Sequence, residues 1–378
     1  MHLDEQEQSE LTKLNQSLLR CQSITPEDGG TFRIISDFCT KLNMQMQRYD
    51  HKDTKNFFAY TSDQPSILFC GHVDVVPPGD LEKWSFPPFS ALIKDGTLYG
   101  RGCVDMKSSI AAFLAALKRM YTQKKLPKVA ILLTSDEEGP AKYGVRYAIE
   151  QLHQDGFRFP SALVGEPTST HTLGDTLKIG RRGSLTAMVQ LNGQQGHVAY
   201  PKAAKNPIPA ACKIIANCSE QKWDEESSLF PETSCICTSL HSQSPAGNMS
   251  PSDCSWQMNF RFPPHTSVQF LQEQTQKRIE QFWNNPYTIS WRVNAEPFAS
   301  KKGPFSAKCT QAIQDILHIS PALSTSGGTS DARFLHHYIE EIIEFGPLNK
   351  TAHKTNECIT ISELNGLSVI YERILQLL

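Results

Sequence analysis

Apolar residues in the first two-fifths of the chain fall into two alternating rhythms. Residues 6–20 and 31–42 carry them at helical spacing, as does the stretch 107–121, rich in Ala, Leu and Met. Short continuous apolar runs lie at 66–70, 128–133 and 162–164, with a further helical pattern at 143–153. A run that is apolar at every position predicts a strand covered on both faces. Strands alternating with helices predict a sheet with helices on each side.

The rhythm changes after about Arg182. Residues 184–192 and 255–261 alternate as half-exposed strands do, 207–218 and 268–282 read as helices, and 287–293 as a further strand. Polar breaks containing Pro and Gly fall near Arg182 and Glu296. Beyond the second break the mixed pattern returns, with helices near 304–317 and 361–377 and a strand at 341–345. The expectation is an α/β domain of residues 1–182 and 296–378, interrupted by an α+β domain of residues 183–295. A chain of 378 residues, long for one hydrophobic core, agrees with two domains.

Charge and cysteine usage remove several classes of partner. Lys and Arg total 37 against 39 acids, a net charge of −2, without the basic excess of nucleic-acid or membrane-surface proteins. Residues 1–20 are acidic and polar, unlike a signal peptide, and no apolar run has the length of a membrane span. The 11 cysteines are odd in number and scattered, and Cys235 with Cys237 forms C-x-C, not the C-x-x-C of a zinc or redox site. Reduced thiols and a cytoplasmic location are expected.

Candidate chemistry sits at the ends of the expected strands, where open α/β sheets place their ligands. His72 and Asp74 close the first apolar run, and their H-x-D spacing puts both side chains on one side of an extended segment. Asp74 is therefore expected to orient the His72 imidazole. Asp105 follows Gly100 and Gly102 at the start of the long helix. It reads either as an N-cap or as a carboxylate at a bend, able to bridge two metals. Asp136, Glu137 and Glu138 follow the most apolar strand; three adjacent acids there repel one another unless a cation sits among them. Glutamates so placed divide the work, one binding metal while its neighbour takes a proton from water. Glu166 follows the third run, and His353 lies in the late segment 345–357. Two histidines and three carboxylates without thiolate suit zinc, with cobalt or manganese as substitutes. Cys70 and Cys103 are read as structural.

Five motifs run in order: H-V-D-V-V-P at 72–77, G-R-G-x-x-D-M-K at 100–107, S-D-E-E-G at 135–139, G-E-P-T at 165–168 and G-P-x-N-x-x-x-H-x-x-N-E at 346–357. Together they resemble the aminoacylase and carboxypeptidase family of co-catalytic zinc hydrolases, over nearly the whole chain. The resemblance implies a zinc-peptidase-like α/β catalytic domain with a central mixed sheet flanked by helices, interrupted by an α+β sandwich that serves dimerisation or as a lid. It implies two zinc ions, one held by His72 and Glu166, the other by Glu138 and His353, with Asp105 bridging and Glu137 as general base on the metal-bridging water.

Segments 175–184, 195–207 and 326–334 are similar to the branch of that family acting on N-succinyl-L,L-diaminopimelate. Such an anionic substrate needs guanidinium forks and amide or hydroxyl donors. Lys178, Arg181, Asn248, Arg261, Gly328, Thr329, Ser330 and Arg333 are the expected suppliers, whereas Arg182 and Lys202 are read as surface salt bridges. His197, in a Gly-rich segment, is expected from the resemblance to reach the active site of a partner chain in a homodimer. Three departures are Cys103-Val104, where small alanines are usual, Pro201 without a following histidine, and Asn248-Met-Ser-Pro251. None removes a ligand. Sister activities of the family, deacetylation of acetylornithine or a carboxypeptidase reaction on glutamate, share the metals but need fewer arginines. A non-catalytic relative should lack Glu137 or a ligand, and all six positions are filled.

Overall fold

The structure, a computed structural model, describes residues 3–378, and its apolar runs form the middle of an eight-stranded sheet. Across the sheet the strands run Gln45–Arg48, Asn56–Tyr60, Val129–Thr134, Ile67–His72, Ser161–Val164, Glu341–Glu344, Thr176–Lys178 and Ala322–Ser324. Val129–Thr134, Ile67–His72, Ser161–Val164 and Glu341–Glu344 are mutually parallel, and antiparallel pairings lie to either side, so the sheet is mixed. Strands Ile67–His72, Val129–Thr134 and Ser161–Val164 are buried at every position, which is why they read as unbroken apolar runs.

Helices Ser108–Thr122 and Ile361–Gln376 pack together over this sheet. Phe69 stacks on Phe113 at 4.0 Å between centroids, and Tyr371 meets both rings edge-on at 5.9 Å. The Tyr371 hydroxyl donates to the Phe345 carbonyl at 2.6 Å, satisfying the one polar atom of a buried ring. Arg119 and Glu372 tie the same two helices through a buried ion pair at 2.5 Å. The first helix, Glu5–Leu19, begins with a capping box between Asp4 and Glu7, and Lys107 donates to the Leu18 and Cys21 carbonyls at its far end.

Contacts divide the chain into two units. The first holds the chain through Gly180, then Ser300–Ser324 and Ser330–Leu378; the second holds Arg181–Ala299 with Thr325–Thr329. The short Thr325–Thr329 segment, which sequence pattern groups with the α/β part, joins the second unit. There the Thr325 hydroxyl donates to the Leu229 carbonyl, and Arg181 donates to the Ser326 carbonyl at 3.2 Å. The Ser300 amide donates to the Ile179 carbonyl at 2.8 Å, so the chain leaves and re-enters the first unit at neighbouring points.

The second unit is a four-stranded antiparallel sheet ordered Ser234–His241, Asp253–Phe262, Gly183–Asn192 and Tyr287–Ala295. Helices Ile208–Glu220 and Val268–Phe282 lay Ile214, Cys218, Leu271 and Ile279 against Leu185, Val189, Trp256, Met258 and Phe260. Strand Asp253–Phe262 alternates buried with half-exposed residues, as a sheet covered on one face requires. Cys235 is buried and Cys237 half-buried on strand Ser234–His241. Among the described residues, no helix is long and apolar enough to cross a membrane.

Candidate active site

Three of the four parallel strands end directly in acidic or imidazole side chains: His72 closes one, residues 136–138 follow the second and Glu166 the third. The fourth, Glu341–Glu344, leads through Phe345 into the loop carrying His353. Two glycines let these ends converge. A Cβ at Gly71 would lie 2.3 Å from Met106 Cε, and one at Gly165 would lie 2.5 Å from the same atom. A side chain at position 71 would displace the end of Met106, next to Asp105, and one at position 165 would also meet Ser109 Cβ at 2.8 Å and Phe69 Cζ at 2.9 Å.

His72 is 1% exposed. Its Nδ1 lies 2.9 Å from the Asp74 backbone carbonyl, an acceptor only, so Nδ1 carries the proton. The lone pair on Nε2 then faces Asp105 Oδ1 at 3.1 Å and Glu166 Oε1 at 3.7 Å. His353 Nε2 faces the other oxygen, Asp105 Oδ2, at 3.1 Å and Glu138 Oε1 at 2.8 Å. Asp105 thus divides its two oxygens between two histidines. His72, Asp105 and Glu138 each offer a ligand atom within 4.8 Å of the others.

Acceptors placed face to face need protons or cations between them. Burial works against a charge on His72, yet hydrogen bonding to Asp105 and the nearby Glu137 and Glu166 hold its pKa well above the usual range. His353 is pushed up to about 10 by Asp105 and Glu138. Burial, and after it the neighbouring Asp105 and Glu137, raises Glu166 far above an ordinary carboxylate. Glu137 is raised by burial, partly offset by His72, with Asp331, Glu138 and Asp105 adding to the rise. Imidazole nitrogen and carboxylate oxygen in this arrangement fit divalent zinc, cobalt or manganese.

Asp105 does not cap the long helix. It sits at φ −122°, ψ 91°, in a turn entered through Gly102 at φ +83°, and the helix starts at Ser108. The role of Asp74 also differs from the H-x-D expectation. Its carboxylate is 3.8 Å from His72 Nδ1 and instead accepts the backbone N–H groups of Glu137 at 3.3 Å and Glu138 at 3.0 Å. The ring is held by the carbonyl, whose position leaves no mark in the sequence.

The expected substrate residues divide between the units. In the first, Lys178 donates to Ser324 Oγ at 3.1 Å, and Arg333 donates to the Ser330 carbonyl while lying 4.5 Å over the Phe334 ring. Ser330 is fully buried and its hydroxyl donates to Glu344 at 2.6 Å, so it braces the wall; it does not present a donor outward. In the second unit lie Arg181, Asn248, Arg261, Gly328, Thr329 and His197. His197 is exposed, and its Nδ1 accepts the Ala199 N–H at 3.1 Å, which leaves the ring proton on Nε2 pointing outward as a donor. Arg182 is half-buried with Arg261, a like charge, as its electrostatic neighbour, and its buried Nε has no hydrogen-bond partner among the described residues. A salt bridge does not account for it. Lys202 is exposed.

Two acids, Asp331 and Glu357, matter here beyond those expected, and Asp136 takes a structural part. Asp136 accepts the N–H groups of Ala141, Lys142 and Tyr143, closing the loop after Glu138. Asp331 is wholly buried with neither oxygen hydrogen-bonded among the described residues, and burial pushes its carboxyl up to about 7. Glu357 is 0% exposed and faces the Asp105 turn. Only their places inside the S-D-E-E-G, T-S-D-A and N-E strings signal them in the sequence.

Comparison with known proteins agrees with this geometry. The chain is 39% identical over 371 residues to a succinyl-diaminopimelate desuccinylase from Thiobacillus denitrificans, covering 97% of this chain and 94% of that protein. Its fold matches a metallo-carboxypeptidase from Sulfolobus solfataricus with a TM-score of 0.77 at 17% identity, over 99% of both chains. It also matches a dinuclear metal-binding peptidase from Bacillus subtilis with a TM-score of 0.73 at 13% identity, over 98% of both. Residues 68–377, which carry every motif from His72 to Glu357, fit the model of peptidase family M20/M25/M40, and the chain belongs to that family.

Proposed function

We propose that the protein hydrolyses the amide bond of N-succinyl-L,L-diaminopimelate to succinate and L,L-diaminopimelate, a step supplying diaminopimelate and lysine. In this reading His72 and Glu166 hold one zinc, Glu138 and His353 hold a second, and Asp105 serves both. The observation that carries it is the split of Asp105, with Oδ1 and Oδ2 each 3.1 Å from a different histidine. The near full-length relative named as a desuccinylase supports the choice of substrate.

Zinc at such a site supplies Lewis acidity, activating water and polarising an amide carbonyl. The chain's own groups do the rest. Glu137, kept basic by burial among acids, takes the proton of the attacking water and passes it to the leaving amine. Asp74 holds the Glu137 and Glu138 amides, fixing the base beside the ligand. Lys178, Arg181, Arg261 and Arg333, with Asn248, Gly328 and Thr329, pair with the substrate carboxylates, since a guanidinium fork matches a carboxylate in two bonds. His197 Nε2–H donates to the developing oxyanion.

The same reading makes residues 1–182 with 296–378 the catalytic part and 183–295 the dimerisation part of a cytoplasmic homodimer, with His197 serving the partner's site. The edge strand Ser234–His241 supports this, with Ile236 61% and Leu240 48% exposed on a strand open on one side. The test is an assay of zinc-loaded protein on succinyl-diaminopimelate and on acetylornithine. Strong preference for the first is expected. Preference for acetylornithine overturns the substrate, and full turnover by metal-free protein overturns the metal reading altogether.

A further inference from the structure

We propose that Glu357 is a positioning residue for both metal-facing turns, the one carrying Asp105 and the one carrying His353; the inference rests on the metal reading above. Glu357 is fully buried, and each of its oxygens accepts two donors. Oε1 receives the backbone N–H of Val104 at 2.8 Å and of Asp105 at 3.1 Å. Oε2 receives Gly102 N–H at 3.0 Å and Arg101 Nη1 at 2.7 Å. Its own carbonyl accepts the Gly100 N–H at 3.0 Å. Four charge-assisted bonds compensate a buried carboxylate that would otherwise be costly to desolvate.

What they fix is the main chain that presents the shared carboxylate. Asp105 precedes the α-helix that starts at Ser108 and has non-helical φ and ψ, so the hydrogen bonds of that α-helix do not set its direction. Its amide is held by Glu357 instead. The other turn is tied to the same group. Arg101 Nη1 also donates to the Lys354 carbonyl at 3.1 Å, next to His353, which sits at φ +60° in the left-handed region. A local conformation of that kind persists only where its surroundings enforce it. The Arg101–Glu357 pair clamps the segment 354–357 to the segment 100–105, and with it the spacing of His353 Nε2 from Asp105 Oδ2.

A glutamine at this position brings one acceptor and one NH2 group. In either orientation the NH2 faces two donors, so half of the clamp is lost. The Arg119–Glu372 pair provides the comparison: equally buried, joining two helices, and touching no ligand.

The experiment titrates metal-free wild-type, Glu357→Gln, Glu357→Asp and Glu372→Gln proteins with zinc by calorimetry. The visible spectrum of each cobalt-loaded protein and the Tm of each metal-free protein are recorded alongside. Glu357→Gln is expected to bind zinc about 10–100-fold more weakly, the scale for groups that hold ligands in place, and to shift the cobalt absorption. Glu357→Asp, which keeps the charge, is expected between it and wild type. Glu372→Gln is expected to lower Tm with zinc affinity near wild type. Wild-type affinity in Glu357→Gln, or a loss no greater than in Glu372→Gln, overturns the proposal. If the glutamine variant does not fold, the aspartate variant decides by the same comparison. Wild-type protein that takes up no zinc overturns the metal reading and this proposal together, whereas tight wild-type binding with unchanged variants overturns this proposal alone.

Discussion

Replacing Asp74 by Asn separates two roles for a residue that is 0% exposed. The carboxylate accepts the Glu137 and Glu138 N–H groups, while the His72 ring proton goes to the Asp74 main-chain carbonyl at 2.9 Å. An asparagine retains one acceptor and turns an NH2 toward the second N–H, so one bond to a charged group is lost and a buried donor is orphaned. A hydrogen bond to a charged group contributes about 1.5–3 kcal/mol and an orphaned donor costs about 1–3 kcal/mol. The easier burial of a neutral amide offsets part of this. A net loss of roughly 2 kcal/mol in urea unfolding is expected. Turnover should fall about 10–100-fold as the Glu137 loop loosens. Zinc affinity should fall less than turnover, because the carbonyl that orients His72 is untouched and only the amide of the ligand Glu138 loosens. The assay is calorimetric zinc titration of metal-free Asp74→Asn, with turnover measured per bound zinc. Turnover per bound zinc that stays at the wild-type value would mean that the carboxylate does not hold the Glu137 base in place, refuting the assignment.

Other substitutions bear on the remaining roles. Glu137→Gln is expected to lose about 10²–10⁴-fold in turnover, the range for general acid–base help, with zinc stoichiometry by elemental analysis unchanged. Arg181→Ala and Arg261→Ala each remove a partner for a desolvated carboxylate, a cost of about 2–5 kcal/mol. Their kcat/KM should fall at least tenfold further on succinyl-diaminopimelate than on a small neutral N-acyl substrate. Co-refolded Glu137→Ala and His197→Ala chains should regain activity approaching about a quarter of wild type if His197 serves its partner; demonstrated heterodimers without recovery contradict that. His336, brought down to about 4 by burial and by His337, is neutral in the fold. The unfolded chain protonates first, near pH 6.5, so the stability tied to this histidine is complete above that pH and falls toward pH 4. His336→Gln should flatten that part of the pH–stability curve measured in urea.

Three of the strands buried on both faces were the most legible part of the sequence, whereas Asn56–Tyr60, buried at every position too, was not read from it. Residues 67–70, 129–133 and 162–164 are apolar without a break, and the residues that follow them deliver the metal-ligand types. Strands with weak signatures were not legible. Gln45–Arg48 is exposed at all four positions, and Thr176–Lys178 and Ala322–Ser324 have only three residues each. Strand Ser234–His241 escapes for a different reason. Its register shifts between Cys237 and Ser239, breaking the alternation, while Ile236 and Leu240 are apolar on the outside. Within the site, residue types at strand ends pointed to His72, Asp105, Glu138, Glu166 and His353 as a group. The direction of a backbone carbonyl, which decides what Asp74 does, and the backward reach of Glu357 depend on main-chain geometry that no spacing encodes.

The hydrogen bond from Ser300 to Ile179 has a consequence for modularity. Because the chain departs and returns at adjacent points, residues 181–299 form a closed excursion whose entrance and exit share one doorway. Such an insert can be lengthened or replaced with little entropy cost to its host, since a short linker spans the gap, provided that the Thr325–Thr329 segment keeps a partner. A chain joining Ile179 to Ser300 through a few glycines would keep every strand of the eight-stranded sheet in its order. The reach and charge of the excursion can therefore change by insertion or substitution while the strand ends that carry the acids and imidazoles stay as they are.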